Sequence, residues 1–254
     1  MSSQPKRLKS VGLTGICSGK STVVSYLGEL IKEYEQLHSQ SPSEHHKIFF
    51  HVIPTDELGW KAYSVGTECY KQVVEVFTPL VKQIVGEEAS LLDEQQQINR
   101  RMLGRVVFGN SELMKKLTDI VWPEVKRLIN VEISKAEQEA INEKVVCLIE
   151  SAVLVDAEWQ QGIDKVWVID VSNTEERIQR LCSRNQLTIE EAKQRINSQA
   201  IASVVLEKLA HYNDNVIPHN PIEVTYLDTH NLTLDQVKEK TREMFYSQIV
   251  GDWK

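Results

Sequence analysis

A chain of 254 residues, 41% of them hydrophobic, has enough apolar material for one sizeable α/β domain or two smaller ones. Its 29 basic and 36 acidic residues leave a formal net charge of −7. That balance argues against a long nucleic-acid polymer as partner, while a local cationic site for a small anion stays open. The 4 cysteines are scattered, with no Cys-x-x-Cys pair and no zinc spacing. No apolar run reaches bilayer length, so no transmembrane segment is expected. The expected compartment is cytoplasmic or otherwise reducing and intracellular, with mitochondrial association left open.

The start, residues 1–7 of "MSSQPKRLKS", is basic, lacks a following hydrophobic signal region and reads as a flexible tail. Next comes "VGLTGICSGKSTVV" (11–24): strand, glycine turn, Lys-Ser-Thr, then an amphipathic run. This is the build of a phosphate-binding loop. Backbone N–H groups of Gly15, Ile16, Cys17, Ser18 and Gly19 and of the first helical turn can face phosphate oxygens. Lys20 adds a mobile positive charge, the Ser21 hydroxyl is a Mg²⁺ ligand, and Thr22 completes the turn. The strict pattern asks for glycine five places before Gly19, where Thr14 stands; Gly15 is the candidate to take over that turn. Cys17 reads either as a small loop-filling residue or as a thiol tuned by the helix terminus.

A helix over "VVSYLGELIKEYEQL" follows, then a polar insertion, "LHSQSPSEHHK" (37–47), whose adjacent His45 and His46 lack ligand spacing. "KIFFHVI" (47–53), "KVVCLI" (144–149) and "KVWVIDV" (165–171) join the first strand as short Val/Ile-rich runs of a parallel sheet. Just past the second, Asp56 sits where parallel α/β proteins bind ligands. It reads as proton acceptor or magnesium ligand, or else as a plain helix cap. Trp60 and Lys61 follow it. Arg100, Arg101 and Arg105 in "INRRMLGRVVFGN" suit phosphate oxygens or a solvated helix face. The long helical run "SELMKKLTDIVWPEVKRLINVEISKAEQEAI" carries Pro123, which suggests a kink or break.

The second basic zone is "EERIQRLCSRNQLTIEEAKQRINSQ" (175–199). Arg180 and Arg184 share a helix face, Thr188 and Glu191 form a capping box, and Arg195 and Gln199 repeat the spacing. Two short arginine-bearing helices fit a lid closing on a transferring phosphate, or a plain hairpin. The spacing predicts one helix over 197–212, a further strand near "DNVI" or "IEVTYL", and a closing helix over 233–249.

Taken together, "VGLTG…SGKST", "DELGWKAYSVGTECYKQVVEVF", "INRRMLGRVVFGN", "LTDIVWPEV", "ESAVLVDAEWQQGIDKVWV" and "EEAKQRINSQ" resemble dephospho-coenzyme A kinases, in family order over roughly residues 8–220. The likeness is greatest to the kinase domain of the animal-type bifunctional coenzyme A synthase. With no adenylyltransferase region ahead of it, the chain reads as monofunctional or as a piece of something longer.

The resemblance implies a P-loop NTPase-type parallel sheet flanked by helices. The core would span 8–220, with a helical insert about 63–140 and a lid about 175–199, and 221–254 would complete the same domain. It implies a kinase of coenzyme A biosynthesis that uses ATP and Mg²⁺ to phosphorylate the ribose 3′-hydroxyl of dephospho-coenzyme A. Carried over, Lys20, Asp56 and Arg184 are catalytic. Gly15 to Thr22 and Arg180 hold the nucleotide. Asp56, Arg100, Trp122 and Arg195 face the acceptor, and Ser21, with Asp56 as a second candidate, serves the metal. Asp156 ends the segment that matches the family's "PLLFE", and Glu150 stands where the family often has Asp. The chain departs from the family in a loop one residue shorter, in Pro54 for the first Asp of a paired motif, in Trp60 for a basic residue, and in Trp122 for the His of His-Pro. Another P-loop kinase of small molecules or nucleotides, or a degenerate kinase fold serving as a scaffold, are the alternatives.

Overall fold

The computed structural model describes residues 8–15, 18–39, 47–140, 143–185, 187–197 and 201–253, with backbone alone at 184, 185, 194, 195 and 197. The chain divides into two compact units, residues 1–53 with 133–254, and residues 54–132.

The first unit is built on a five-stranded sheet: β1 (Leu8–Thr14), β2 (Ile48–Pro54), β3 (Lys144–Glu150), β4 (Lys165–Asp170) and β5 (Glu223–Asp228), in the order β2-β3-β1-β4-β5. β1 pairs in parallel with β3 and β4, and β4 with β5. Position in the sheet explains composition. All six residues of central β4 are buried, as are the middle five of β3, so both faces are apolar. The edge strands β2 and β5 mix buried with exposed positions.

Helix α1 (Lys20–His38) lies against this sheet through Val23, Leu27, Leu30, Ile31 and Tyr34. They share a core with Phe50, Trp167 and Phe245. The Trp167 indole N–H, fully buried, donates to Gln248 Oε1 at 2.9 Å, and Thr225 Oγ1 donates to the same oxygen at 2.9 Å. Such pairing removes the penalty of burying polar atoms in the sheet. After α6 (Thr174–Asn185), α7 (Ile189–Asn197) and α8 (Ala202–Asn215), helix α9 (Leu234–Met244) starts with a full capping box of Thr233 and Gln236. It runs on as one π-helical segment, Phe245–Val250, and a 3₁₀ turn, Gly251–Trp253. That turn is tied to the amino edge of the sheet. Asp252 accepts from Lys9 and Lys165, both at 3.0 Å, and Lys144 Nζ donates to the Trp253 carbonyl at 2.8 Å.

The second unit holds α2 (Thr55–Ala62), α3 (Glu68–Val85), α4 (Arg100–Val107) and the start of α5 (Ser111–Glu139). Leu58, Val73, Phe77, Val81, Leu103 and Val125 are among its buried side chains.

The structure decides between or revises four sequence expectations. α5 spans Pro123 without a break, and both Pro123 and Asp119, whose carbonyl loses its partner, are solvent-facing, so water can replace the missing bond. The 197–212 segment is not one helix: Ile201 is extended, at φ −67° and ψ 160°, and α8 begins after it. "DNVI" belongs to the end of α8, and the fifth strand is the "EVTYLD" segment. The closing helix over 233–249 is α-helical only to Met244. The 1–7 tail, the bulk of the polar insertion with His45 and His46, and Gln199 lie outside the described residues.

Candidate active site

The register aligns the carboxyl ends of the strands: Leu13 lies opposite Glu150, Thr14 opposite Val168, and Asp170 opposite Asp228. The connection from β1 runs toward β2 on one side and that from β4 toward β5 on the other, so these neighbouring strands send their chains apart. That switch point is where open α/β sheets bind ligands.

The loop at this point is shaped for an anion. Gly15 has φ 142°, and a Cβ there would lie 2.0 Å from the Ile169 carbonyl oxygen, so glycine is required. Thr14 belongs to the strand and is buried, its hydroxyl 3.4 Å from the Ala152 carbonyl. The turn that the strict pattern gives to the earlier glycine falls on Gly15. Gly19 is left-handed, at φ 86°, and is the N-cap of α1, with no side-chain cap and no acidic residue in the first turn. Thr22 N already donates to the Gly19 carbonyl at 2.9 Å, while no side-chain cap and no first-turn acid sits on the positive end of the helix dipole, the setting in which an anion binds. The buried Ser18 hydroxyl has no partner among the described residues. Ser21 is exposed in the first turn. Ile16 and Cys17 lie outside the described residues.

Lys20 opens α1, and its ammonium donates to Glu150 Oε1 at 2.7 Å. Glu150 is the last residue of β3, next to the strand that carries the loop. An acid in that place is suited to a phosphate-bound cation. Glu150 had a family position in the sequence reading but no place among the candidate site residues. The signal was there: an acid ending the apolar run "KVVCLIE".

Arg180 is held beside the same loop. Its Nη1 donates to Thr229 Oγ1 at 3.0 Å and its Nη2 to the Thr229 carbonyl at 3.1 Å, and it also pairs with Glu176. Thr229, 1% exposed, places its hydroxyl 2.8 Å from the Ser18 carbonyl and 3.0 Å from that of Asp170. His230 Nδ1 lies 2.5 Å from Glu176 Oε2. Hydrogen bonds from His230 and Arg180 hold the Glu176 carboxyl below its ordinary pKa. Arg177 anchors α6 from beneath, donating to Asp170 Oδ1 and to the Val171 carbonyl, both at 2.6 Å. The Tyr226 hydroxyl donates to the other Asp170 oxygen at 3.1 Å, and burial with that negative neighbour pushes its pKa to about 12. No sequence pattern marked Thr229 or His230.

α6 and α7 form a hairpin with its own small core of Leu181, Ala192 and Ile196. The capping box at Thr188 is formed, with Thr188 N and Oγ1 donating to Glu191 at 2.8 and 2.9 Å and Glu191 N donating back to Thr188 Oγ1 at 3.2 Å. Arg184 lies in α6 and Arg195 in α7; their side chains lie outside the described residues. Asp156 pairs with Lys208 of α8 at 2.6 Å.

In the helical unit, α2 begins with Pro54 as N-cap and no side-chain cap bond, so Asp56 is not the cap. It is an exposed first-turn carboxylate. Trp60 follows one turn later on the same helix, 51% exposed and therefore not core. The Arg100 guanidinium lies over its ring, 4.1 Å from the centroid. Arg101 and Arg105 are exposed on α4, and Trp122 is partly buried on α5.

This sheet order, with a glycine-lysine-serine loop between first strand and first helix, defines a P-loop kinase-like α/β protein. A family model described as dephospho-CoA kinase matches residues 42–220. Dephospho-CoA kinases of Staphylococcus epidermidis and Staphylococcus aureus are 30% and 31% identical over 210 residues, which is 82% of this chain and 85% and 84% of theirs. The structure of a Thermus thermophilus protein shares the fold with TM-score 0.63 at 21% identity, over 96% of this chain and 99% of that one. Dephospho-CoA kinase from Campylobacter jejuni does so with TM-score 0.53 at 18% identity, over 95% and 98%. The chain belongs to the dephospho-CoA kinase family, which supports a phosphotransferase role at the level of the family.

Proposed function

We propose that this chain transfers the γ-phosphoryl group of ATP to the ribose 3′-hydroxyl of dephospho-coenzyme A, giving coenzyme A and ADP. The observation that carries the reading is the loop at the switch point: Gly15 pressed against the Ile169 carbonyl, an α1 N-terminus with no side-chain cap and no first-turn acid, and Lys20 facing Glu150 at 2.7 Å.

Loop and first-turn N–H groups bind the nucleotide phosphates, and Lys20 leaves Glu150 to meet the β- and γ-phosphates. Ser21 and Glu150 are the oxygens suited to Mg²⁺, which supplies charge neutralisation of the phosphates. Asp56 accepts the proton as the 3′-oxygen forms its bond to phosphorus and the bond to ADP breaks. Arg100, with Trp122 and Arg195, serves the acceptor side. Arg184, and Arg180 beside the loop, offset charge on the transferring group as the 175–199 hairpin closes as a lid. Residues 8–220 act as the kinase core, with 221–254 completing it. Within the family, the quoted segments support kinship with the kinase domain of the animal-type bifunctional coenzyme A synthase. No described helix is long and apolar enough to cross a membrane, and the described cysteines are free, which fits a reducing compartment.

ADP release by the purified chain with Mg²⁺-ATP, measured with and without dephospho-coenzyme A, tests the reading. Release that depends on the acceptor supports it. Tight ATP binding with no such dependence would instead support a degenerate, non-catalytic kinase fold.

A further inference from the structure

Trp60 is an unusual residue to leave half in water. It stands one turn beyond Asp56 on α2, so about 6 Å of helix rise separates the two. Its ring carries the Arg100 guanidinium at 4.1 Å from the centroid. The backbone of Arg100 is fixed as well. Asn99 caps α4 by accepting from Met102 N at 3.1 Å, and Asn99 N donates to the Leu91 carbonyl at 2.8 Å. Tyr63, on the same stretch as Trp60, is within hydrogen-bond reach of the guanidinium.

A guanidinium stacked by its face keeps edge N–H groups to offer beyond the one directed at Tyr63, and that edge is what pairs with phosphate oxygens. Arginine loses less freedom on binding when its plane is already held. Arg100 is also the first residue of a helix, where the dipole disfavours a cation, so an anion at its edge gains from both charges.

We propose that Trp60 is the positioning residue for Arg100: the indole holds the guanidinium plane so that its edge meets the diphosphate of the acceptor, one helical turn from the carboxylate that serves the 3′-hydroxyl. This rests on the reading of the chain as a kinase of dephospho-coenzyme A and deepens it. The site selects an acceptor with an anionic group on the far side of the ribose over a bare nucleoside.

Calorimetric titration of dephospho-coenzyme A, ATP and adenosine into wild type, Trp60→Phe, Trp60→Ala, Arg100→Ala and the Trp60→Ala/Arg100→Ala pair tests the inference. Trp60→Ala is expected to weaken dephospho-coenzyme A binding about three- to tenfold, the range of a cation–π contact dried by its ligand. Trp60→Phe keeps most of the affinity, ATP binding is unchanged, adenosine is insensitive, and the pair is no weaker than Arg100→Ala alone. Wild-type affinity in Trp60→Ala overturns the inference while leaving the proposed reaction intact. So does a Trp60→Ala loss that persists without Arg100, or that is equal for adenosine, since the ring would then stack the base itself. Failure of the wild type to bind dephospho-coenzyme A while it binds ATP overturns both.

Discussion

At the scale of single residues, the proposed phosphate loop depends on Gly15 and Lys20. Gly15→Ala would drive a Cβ to 2.0 Å from the Ile169 carbonyl, which belongs to the backbone of the sheet and has no rotamer to move away. We expect a loss of about 2–4 kcal/mol, read as a clear drop in midpoint on denaturant unfolding; a wild-type midpoint would contradict the assigned packing. Lys20→Ala should lower turnover at least about a hundredfold with an unchanged far-ultraviolet spectrum, the scale of losing one preorganised charge at the reacting group. Glu150→Gln should reduce turnover more than ATP affinity, and equal losses in both would point to a merely structural ion pair. The role proposed for Lys20 was readable from Gly-Lys-Ser-Thr alone. The Gly15 role was legible only in part, because the atom that forces glycine comes from β4, more than a hundred residues away, and no local pattern can announce it.

At the scale of elements, the β5–α9 connection clamps the loop to α6. Thr229 accepts from Arg180 while its own hydrogen reaches Ser18 or Asp170. Thr229→Val keeps the shape and removes the hydroxyl. It should raise KM for ATP about three- to tenfold, and Thr229→Ser should restore it; no change in KM would show that Arg180 and the loop are held by other contacts. The thiols also belong to their elements. Burial pushes Cys147, inside β3, to about 12, and Cys69, on α3, to about 11. A raised thiol pKa keeps the neutral form at pH 8, so a thiol reagent should label neither while the protein is folded and both after unfolding. The strands were readable because Val and Ile runs fit a sheet buried on both faces. The 197–212 segment was misread because helical spacing resumes after Ile201 with no local sign that the backbone turns extended there. Trp60 was unassigned because nothing in "DELGWKAY" says that Arg100 lies across it.

At the largest scale, the sheet unit is tied together at its amino edge, at the opposite ends of the strands from the loop. Burial alone would raise the pKa of Asp252, but hydrogen bonds from Lys9 and Lys165 outweigh it and hold the carboxyl below its ordinary 3.8. A carboxyl lowered in the folded state stabilises the fold above that ordinary value, and the contribution is lost as pH falls through the lowered one. Asp252→Asn should therefore destabilise the protein near neutral pH and leave a shallower loss on acidification below about pH 4; parallel acid limbs for the two proteins would sink the linkage. A parallel sheet flanked by helices and the family were accessible from the sequence because six motifs recur in order; the strand order was not stated by any of them. The tie between the last residues and β1 was not, since it joins positions 243 residues apart.

The central claim is the bond that forms. The direct measurement is the product of wild type incubated with Mg²⁺-ATP and dephospho-coenzyme A, by mass and by ³¹P NMR. The expected product is an acceptor heavier by one phosphoryl group with a new phosphomonoester at the ribose 3′ position. An unmodified acceptor, or a phosphate placed elsewhere, from a folded and ATP-binding protein would contradict it.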